Sequence, residues 1–191
     1  MNNIAIFASG SGSNAQAIIE HLRMLKKDSV KLILTNNPEA FVLERAKNLN
    51  VKSEIFTKNQ FVNSDHVLNI LEKENIQLIV LAGFLWLIPQ NILQRYNKRI
   101  INIHPALLPK YGGKGMYGMR VHEAVVANGE TETGITIHYV NEEYDKGEII
   151  LQAKCIVESN DSPDIVAQKI HTLEYEYFPK TIEKVLDSIK K

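Results

Sequence analysis

The sequence predicts an α/β fold: one domain with a mostly parallel, twisted sheet, helices on both faces and an antiparallel addition of C-terminal strands. Three observations support this class. Short apolar runs alternate along the chain with segments whose apolar residues recur at helical spacing. The run 78–82 is almost purely apolar, which is typical of a strand covered on both faces. The late runs 135–140 and 149–157 are joined by the turn-rich stretch 141–147, which favours an antiparallel pair.

Each element follows from a local pattern. Apolar runs that end at turn residues predict strands over 4–8, 30–35, 51–56, 78–82 and 99–104. Apolar residues on one helical face predict helices over 15–25, 40–49, around 67–71, over 89–96 and near 121–127. A long last helix is expected to begin at Ser162-Pro163, with Ser162 as its N-cap, and to continue to about residue 189. This β–α–β order implies parallel neighbours joined by crossover helices.

The composition argues against several classes of protein. The 191 residues suit one domain (1–191), and their 22 basic and 22 acidic residues balance, which argues against nucleic-acid binding. Cys155 is the only cysteine, so no intrachain disulfide forms and a reducing, cytoplasmic location is expected. The longest apolar stretch, 78–89, is shorter than the ~20 residues of a membrane span, and the first residues do not resemble a signal peptide.

The residues after the first strand form a glycine-rich loop that favours anion binding. Residues 10–15, Gly-Ser-Gly-Ser-Asn-Ala, fit G-x-G-x-x-A between a predicted strand and a predicted helix. Glycines allow a tight turn, and the free N–H groups at a helix start attract phosphate. The second strand ends Thr35-Asn36-Asn37 without the acidic residue that binds a dinucleotide ribose. A smaller phosphorylated sugar therefore fits better, and a tight turn without ligand is the alternative.

Asn102 and His104 lie two residues apart at the predicted end of the fifth strand. Residues at this spacing point to one side of a strand, while Ile103 points into the core. Open α/β sheets bind ligands at the carboxyl ends of their strands. An amide and an imidazole there can stabilise an oxygen that becomes negative during acyl transfer, and the imidazole can move protons. A hydrogen-bonded pair without catalysis is the alternative.

Two further segments have both a functional and a structural interpretation. Asp145 precedes Gly147 by two residues, as in many ordinary turns, but a carboxylate near a histidine raises the pKa of the imidazole and orients it. Residues 85–88, Leu-Trp-Leu-Ile, can line a pocket for a flat ring or simply cover the core. No metal site is expected, because His122-Glu123 lacks the second histidine of a zinc helix.

Four motifs occur in order along the chain and together resemble one enzyme family. They are residues 9–14, residues 81–84 (Leu-Ala-Gly-Phe), residues 102–109 (Asn-Ile-His-Pro-Ala-Leu-Leu-Pro), and residues 145–147 followed by Gln152. In this combination the chain resembles the folate-dependent phosphoribosylglycinamide formyltransferases of purine biosynthesis over essentially its whole length. The resemblance implies the formyltransferase fold and two small-molecule substrates. It also implies a reaction in which the formyl group of 10-formyltetrahydrofolate, the co-substrate, passes to the amine of glycinamide ribonucleotide.

The resemblance also implies roles for individual residues. Asn102, a protonated His104 and Asp145 match the catalytic residues that stabilise the tetrahedral intermediate of direct attack. The residues implied to bind the nucleotide substrate are Gly12, Ser13, Asn14 and Glu174. Those implied to line the folate pocket are Leu85, Trp86, Leu87, Ile88, Asn102, Asn141, Glu142, Glu143 and Tyr144. A nucleotide-binding half (about 1–100) and a folate and catalytic half (about 101–191) are expected within the one domain.

The chain departs from the family pattern at three places. Ser64 stands where the family often has a phosphate-binding arginine, with Lys58 as a nearby substitute, and Trp86 replaces an arginine of the folate segment. The stretch 111–120 is longer and richer in glycine than expected.

Three alternatives to the implied function stay open. A methionyl-tRNA formyltransferase should carry an RNA-binding domain, and a formyl-folate hydrolase should carry an N-terminal regulatory domain. The third alternative is a non-catalytic phosphosugar-binding protein. The sequence does not specify the oligomeric state.

Overall fold

The computed structural model describes residues 2–27 and 29–189. Seven strands form one sheet in the order β3-β2-β1-β4-β5-β6-β7. Their bounds are β1 Asn3–Phe7, β2 Val30–Thr35, β3 Lys52–Ile55, β4 Ile76–Leu81, β5 Ile100–His104, β6 Glu132–Tyr139 and β7 Ile149–Ile156. The first five strands are parallel, and β6 and β7 are antiparallel to their neighbours. The predicted fold class is therefore confirmed.

Helices cover both faces of the sheet. Their bounds are α1 Ser13–Met24, α2 Val42–Asn48, α3 Lys58–Val62, α4 His66–Lys73, α5 Gln90–Arg95, α6 Met119–Ala127 and α7 Pro163–Ser188. The short α3 has no counterpart in the expectation, although Thr57 and Gln60 form a capping box at its start. The predicted cap of α7 is present, since Ser162 Oγ accepts a hydrogen bond from the N–H of Ile165. No helix in the described part of the chain is long and apolar enough to cross a membrane.

Alternating side chains divide the core into two layers. In β1, Ile4 and Ile6 belong to the layer under α1 and α7, whereas Ala5 and Phe7 belong to the layer on the opposite face. All four side chains are fully buried, as the period of two in a doubly covered strand requires. Ile103 of β5 is buried in the first layer, as predicted, and this leaves Asn102 and His104 on the other side of the strand.

The sheet topology determines where a ligand can bind. The chain runs outward from β1 through β2 to β3, and then returns to the other side of β1 with β4. The crossovers after β1 and β4 therefore leave in opposite directions, which opens a crevice at the carboxyl ends of these two strands. The residues after β1, β4 and β5 meet at this edge.

Candidate active site

A cavity of about 560 Å³ lies at the carboxyl edge of the sheet. It is lined by the loop after β1, the segment after β4, the end of β5, the glycine-rich stretch before α6, the turn between β6 and β7, and one side of α7. The predicted site residues that line it are Gly12, Ser13, Asn14, Leu85, Trp86, Leu87, Ile88, Asn102, His104, Glu143, Tyr144, Asp145 and Glu174. Residues from distant parts of the chain thus line the same cavity.

The loop after β1 presents backbone donors to this cavity. Gly12 adopts the left-handed conformation (φ 72°) as the N-cap of α1, and no side chain caps the helix. The carbonyl oxygens of Gly10 and Ser11 are already occupied, because they accept hydrogen bonds from Val42 N–H and the Arg45 side chain. The first N–H groups of a helix have no partner within the helix. This loop can therefore bind an anion through its backbone N–H groups.

Glu174 of α7 holds the side chain of Asn14. Asn14 Nδ2 donates to Glu174 Oε2 over 3.0 Å, and Glu174 is 7% exposed. Burial raises the pKa of Glu174 above its ordinary value, although the Asn14 hydrogen bond opposes this. The Oδ1 atom of Asn14 is buried without a partner. An unpartnered acceptor beside a carboxyl group suits the hydroxyl groups of a sugar.

Strand pairing brings His138 of β6 against Asn102. The two residues are directly opposite in the β5–β6 ladder, and His138 Nε2 lies 3.1 Å from Asn102 Nδ2. His138 Nδ1 lies 2.8 Å from the carbonyl oxygen of Tyr139, which can only accept, so Nδ1 carries the proton. In the neutral ring, Nε2 then accepts from the Asn102 amide. His138 thereby orients Asn102 and leaves its second amide N–H for the cavity.

His104 is held by the backbone of the next loop and faces Asp145. Its Nε2 lies 2.7 Å from the carbonyl oxygen of Tyr111, so this nitrogen donates. Its Nδ1 lies 3.6 Å from Asp145 Oδ2, and both side chains are nearly buried. Burial lowers the pKa of His104 below its ordinary value, and it outweighs the opposing charge of Asp145. A lowered pKa favours the neutral ring, whereas the resemblance implies a protonated His104, which stays a prediction.

Asp145 is fixed at the centre of the site. Its Oδ2 accepts from Gly113 N–H over 2.9 Å, and its Oδ1 lies 3.7 Å from His138 Nε2. Burial raises the pKa of Asp145, but positive charge or an N–H on the His138 and His104 rings, together with the hydrogen bond from Gly113 N–H, outweighs burial and lowers it. Asp145 is accordingly a carboxylate that faces two imidazole rings. Its positive φ (57°) places the carboxylate in this position, a conformation that aspartate tolerates better than most residues.

A buried hydroxyl fixes the segment that follows His104. Thr136 Oγ1 donates to the carbonyl oxygen of Ala106 and accepts from Leu108 N–H and Gln152 Nε2 over 2.7 to 3.0 Å. Thr136 is fully buried and pairs with His104 across the ladder. The backbone beyond His104 is therefore tied to β6 and β7.

An aromatic and apolar wall forms the other side of the cavity. Trp86 packs with ring centroids 6.0 to 6.2 Å from Phe56, Phe61 and Phe84. Leu85 and Leu87 are 45% and 42% exposed, so they can contact a ligand. Segment 85–88 thus both covers the core and lines the cavity.

Some predicted residues lie elsewhere. Asn141 and Glu142 are not part of the cavity wall formed by the described residues; Asn141 Oδ1 accepts from Glu143 N–H within the turn, and Glu142 accepts from Gln90. Ser64 and Lys58 also lie outside that wall, and Ser64 Oγ donates to the carbonyl oxygen of Gln60.

Residues that the sequence did not place in the site also line it. They are His122, His138, His171, Lys114 and Arg120. Part of the signal for His138 was present, because it lies on a strand that was expected to add to the sheet; the structure pairs this strand with the one that carries Asn102 and His104. Within residues 2–27 and 29–189, no group of three or more His, Cys, Asp or Glu side chains could hold a metal ion.

Comparisons with known proteins identify the family. The family model described as "Formyl transferase" matches residues 2–182. The phosphoribosylglycinamide formyltransferase of Bacillus subtilis (strain 168) is 36% identical over 97% of this chain and 95% of its own length. The chloroplastic enzyme of Arabidopsis thaliana is 37% identical over 96% of this chain, which spans 65% of that relative. The crystal structure of the Bacillus halodurans phosphoribosylglycinamide formyltransferase superposes with a TM-score of 0.87 at 34% identity, over 97% of this chain and 95% of that one. The chain belongs to the formyl transferase family.

Proposed function

We propose that this protein transfers the formyl group of 10-formyltetrahydrofolate to the amine of glycinamide ribonucleotide, a step of purine biosynthesis. One observation carries the proposal: an anion-binding loop at residues 10–14 and the group Asn102, His104 and Asp145 line the same cavity. An acceptor substrate with a phosphate at one end and an amine at the other can bind the loop with its phosphate and place its amine at Asn102, His104 and Asp145. The relatives named above, which are phosphoribosylglycinamide formyltransferases, support the same reaction.

The phosphate of the nucleotide binds the backbone N–H groups at the start of α1. Gly12 permits the left-handed turn, and Ser13 and Asn14 supply the first donors of the helix. The Asn14 side chain does not donate to phosphate, because its Nδ2 is bonded to Glu174. Asn14 Oδ1 and Glu174 instead bind hydroxyl groups of the ribose.

Asn102, His104 and Asp145 carry the chemistry. The substrate amine attacks the formyl carbon, and the carbonyl oxygen becomes negative. The amide N–H of Asn102 that His138 leaves free donates to this oxygen. The amine proton is collected at His104 Nδ1, where the new imidazolium faces the Asp145 carboxylate. That proton then passes to N10 of the folate as the bond between N10 and the formyl carbon breaks, which leaves tetrahydrofolate and the N-formylated nucleotide.

The apolar wall at residues 85–88 binds the pterin ring of the folate. A flat heterocycle fits between this wall and the turn that carries Glu143, Tyr144 and Asp145. Trp86 adds an aromatic surface where the family often has an arginine. Asn141 and Glu142 contribute by shaping that turn, since Asn141 accepts from Glu143 N–H.

We further infer that the protein acts on small molecules in the cytoplasm and has no nucleic-acid or membrane partner. The balanced charge and the single cysteine support this inference. The division into a nucleotide-binding half (1–100) and a folate and catalytic half (101–191) stays a prediction. Glu174 and segment 85–88 cross that division, because each lies in the half opposite to its implied ligand.

A formyl-transfer assay tests the proposed function. Purified protein is incubated with 10-formyltetrahydrofolate and glycinamide ribonucleotide, and the products are followed by absorbance of the folate and by mass spectrometry of the nucleotide. We expect stoichiometric tetrahydrofolate and N-formylated nucleotide. Release of formate without a formylated nucleotide would identify a hydrolase, and no turnover at all despite nucleotide binding would identify a binding protein.

A further inference from the structure

His122 is a buried histidine to which the mechanism proposed above assigns no role. It belongs to α6, where it is 3% exposed between the buried residues Val121 and Val125, and it also lines the cavity. Neither ring nitrogen has a hydrogen-bond partner within residues 2–27 and 29–189, and Nδ1 is sealed from solvent. Buried polar side chains are almost always partnered, so an unpartnered one in a ligand cavity indicates a missing ligand group.

The environment of His122 keeps its ring neutral. Burial, together with the nearby rings of His171 and His104, lowers the pKa of His122 to about 4. His104 has Asp145 to balance a positive charge, whereas no carboxylate of the described chain forms an ion pair with His122. His122 is therefore unsuited to proton transfer near neutral pH, and its function is that of a neutral hydrogen-bonding group.

Burial also determines which nitrogen carries the proton. A neutral imidazole has one N–H and one lone pair. A buried N–H without an acceptor is rarer in proteins than an under-used acceptor, so the sealed Nδ1 bears the lone pair. The proton then lies on Nε2, the nitrogen left to reach the cavity. His122 accordingly offers the cavity one neutral N–H donor.

The position of this donor indicates what it binds. The Asn14 side chain is bonded to Glu174, and His171 lies close enough to both Glu174 and His122 to influence their pKa values. His122 in turn lies near His104. These residues form one wall that leads from the phosphate loop to the reacting group. The part of a phosphorylated acceptor that lies along this wall is its sugar and glycinamide portion.

We propose that His122 is a specificity-determining residue whose Nε2–H donates a hydrogen bond to an uncharged oxygen of the ribosyl-glycinamide portion of the acceptor. The inference rests on the proposed function, because it takes the phosphate to bind residues 10–14 and the amine to lie at His104. It assigns to α6 a direct contact with the acceptor substrate.

Steady-state kinetics of four proteins test this assignment. His122→Phe retains a ring but removes the donor, and we expect the KM for glycinamide ribonucleotide to rise about tenfold, the effect of one lost hydrogen bond. The KM for 10-formyltetrahydrofolate and kcat should stay within about threefold of the wild type. His122→Gln should restore the lower KM, because its amide nitrogen is as many bonds from Cα as Nε2. His122→Asn places its amide at the position of Nδ1 and should resemble His122→Phe.

Two further measurements test the tautomer of His122 and the place at which it contacts the nucleotide. Nitrogen-15 NMR of labelled protein, with the His122 signal assigned by its loss in His122→Phe, should show the Nε2–H tautomer and a change when the nucleotide is added. Inhibition by inorganic phosphate should be equal in the wild type and in His122→Phe. An unchanged KM in an active His122→Phe protein, an Nδ1–H tautomer, or weakened phosphate inhibition would each overturn the assignment. A wild-type protein without nucleotide-dependent turnover would instead overturn the proposed function.

Discussion

Replacing the Asp145 carboxylate by an amide tests the charge arrangement of the site. Asp145→Asn preserves the shape of the side chain, and asparagine also tolerates the left-handed backbone found there (φ 57°). The Asn Oδ1 atom can still accept the hydrogen bond from Gly113 N–H. The substitution therefore removes one negative charge and leaves the local contacts in place.

The distance between the two groups gives the size of the expected effect. At the 3.6 Å between His104 Nδ1 and Asp145 Oδ2, an effective dielectric of about 20 corresponds to a charge interaction of about 4–5 kcal/mol. This value is a ceiling, because the protein and solvent reorganise around the remaining charge. We expect a loss in kcat of about 100- to 1000-fold, which corresponds to about 3–4 kcal/mol of lost stabilisation of the imidazolium.

The pH dependence should change in a defined direction. The Asp145 charge raises the pKa of His104 against the stronger effect of burial, so its removal lowers that pKa further. Because neutral His104 is the form that accepts the amine proton, activity falls as pH drops below this pKa. The acid limb of kcat/KM should therefore move to lower pH.

A pH–rate profile from pH 4 to 9 checks both expectations, with thermal unfolding as a measure of the integrity of the fold. Asp187→Asn is the matched control, because it removes an exposed aspartate charge whose partner is Lys27, and neither residue lines the cavity. It should keep the wild-type profile. An Asp145→Asn protein with wild-type kcat and an unmoved acid limb would refute the proposed coupling to His104.

Three further predictions concern the residues around this group. His138→Leu should lower kcat about 10- to 100-fold with little change in either KM, because it releases the Asn102 amide. His138→Gln offers an acceptor and should recover most of the rate. Equal rates in the wild type and these two variants would contradict the positioning role of His138. Glu174→Ala should raise the KM for the nucleotide at least about tenfold and leave the KM for the folate unchanged, as steady-state kinetics would show. Gly12→Ala should destabilise the fold by about 1–3 kcal/mol in chemical denaturation, since its Cβ would lie 2.3 Å from Val42 Cγ2 at a positive φ; an unchanged midpoint would show that the loop adapts.

Local patterns in the sequence were sufficient for the architecture. The alternation of apolar runs and helical faces specifies β1 to β5 and their crossovers, because each strand buries both faces and each helix buries one. The position of Asn102 and His104 at a strand end follows from the same reasoning. Helix α3 was missed because its five residues carry too few apolar positions to show a period, although the Thr57 capping box marked its start.

The contacts between side chains within the site could not be predicted from local sequence patterns. The pairing of Asn102 with His138 depends on the register between β5 and β6, which no local pattern specifies. The lowered pKa of His104 depends on how deeply the side chain is buried, and burial of a strand end is a property of the whole fold. The glycine-rich stretch 111–120 has no regular period from which its course could be predicted, because Gly113, Gly115 and Gly118 all adopt positive φ.

The reaction itself offers the most direct test of the role of His104. A single-turnover experiment mixes excess enzyme carrying labelled 10-formyltetrahydrofolate with glycinamide ribonucleotide, stops the reaction by rapid quenching and quantifies the labelled nucleotide. Calorimetry measures nucleotide binding to the same proteins. For His104→Ala, we predict an unchanged Kd for the nucleotide and a transfer rate lowered by at least about 100-fold. Wild-type transfer rates in a His104→Ala protein that binds both substrates normally would contradict the account.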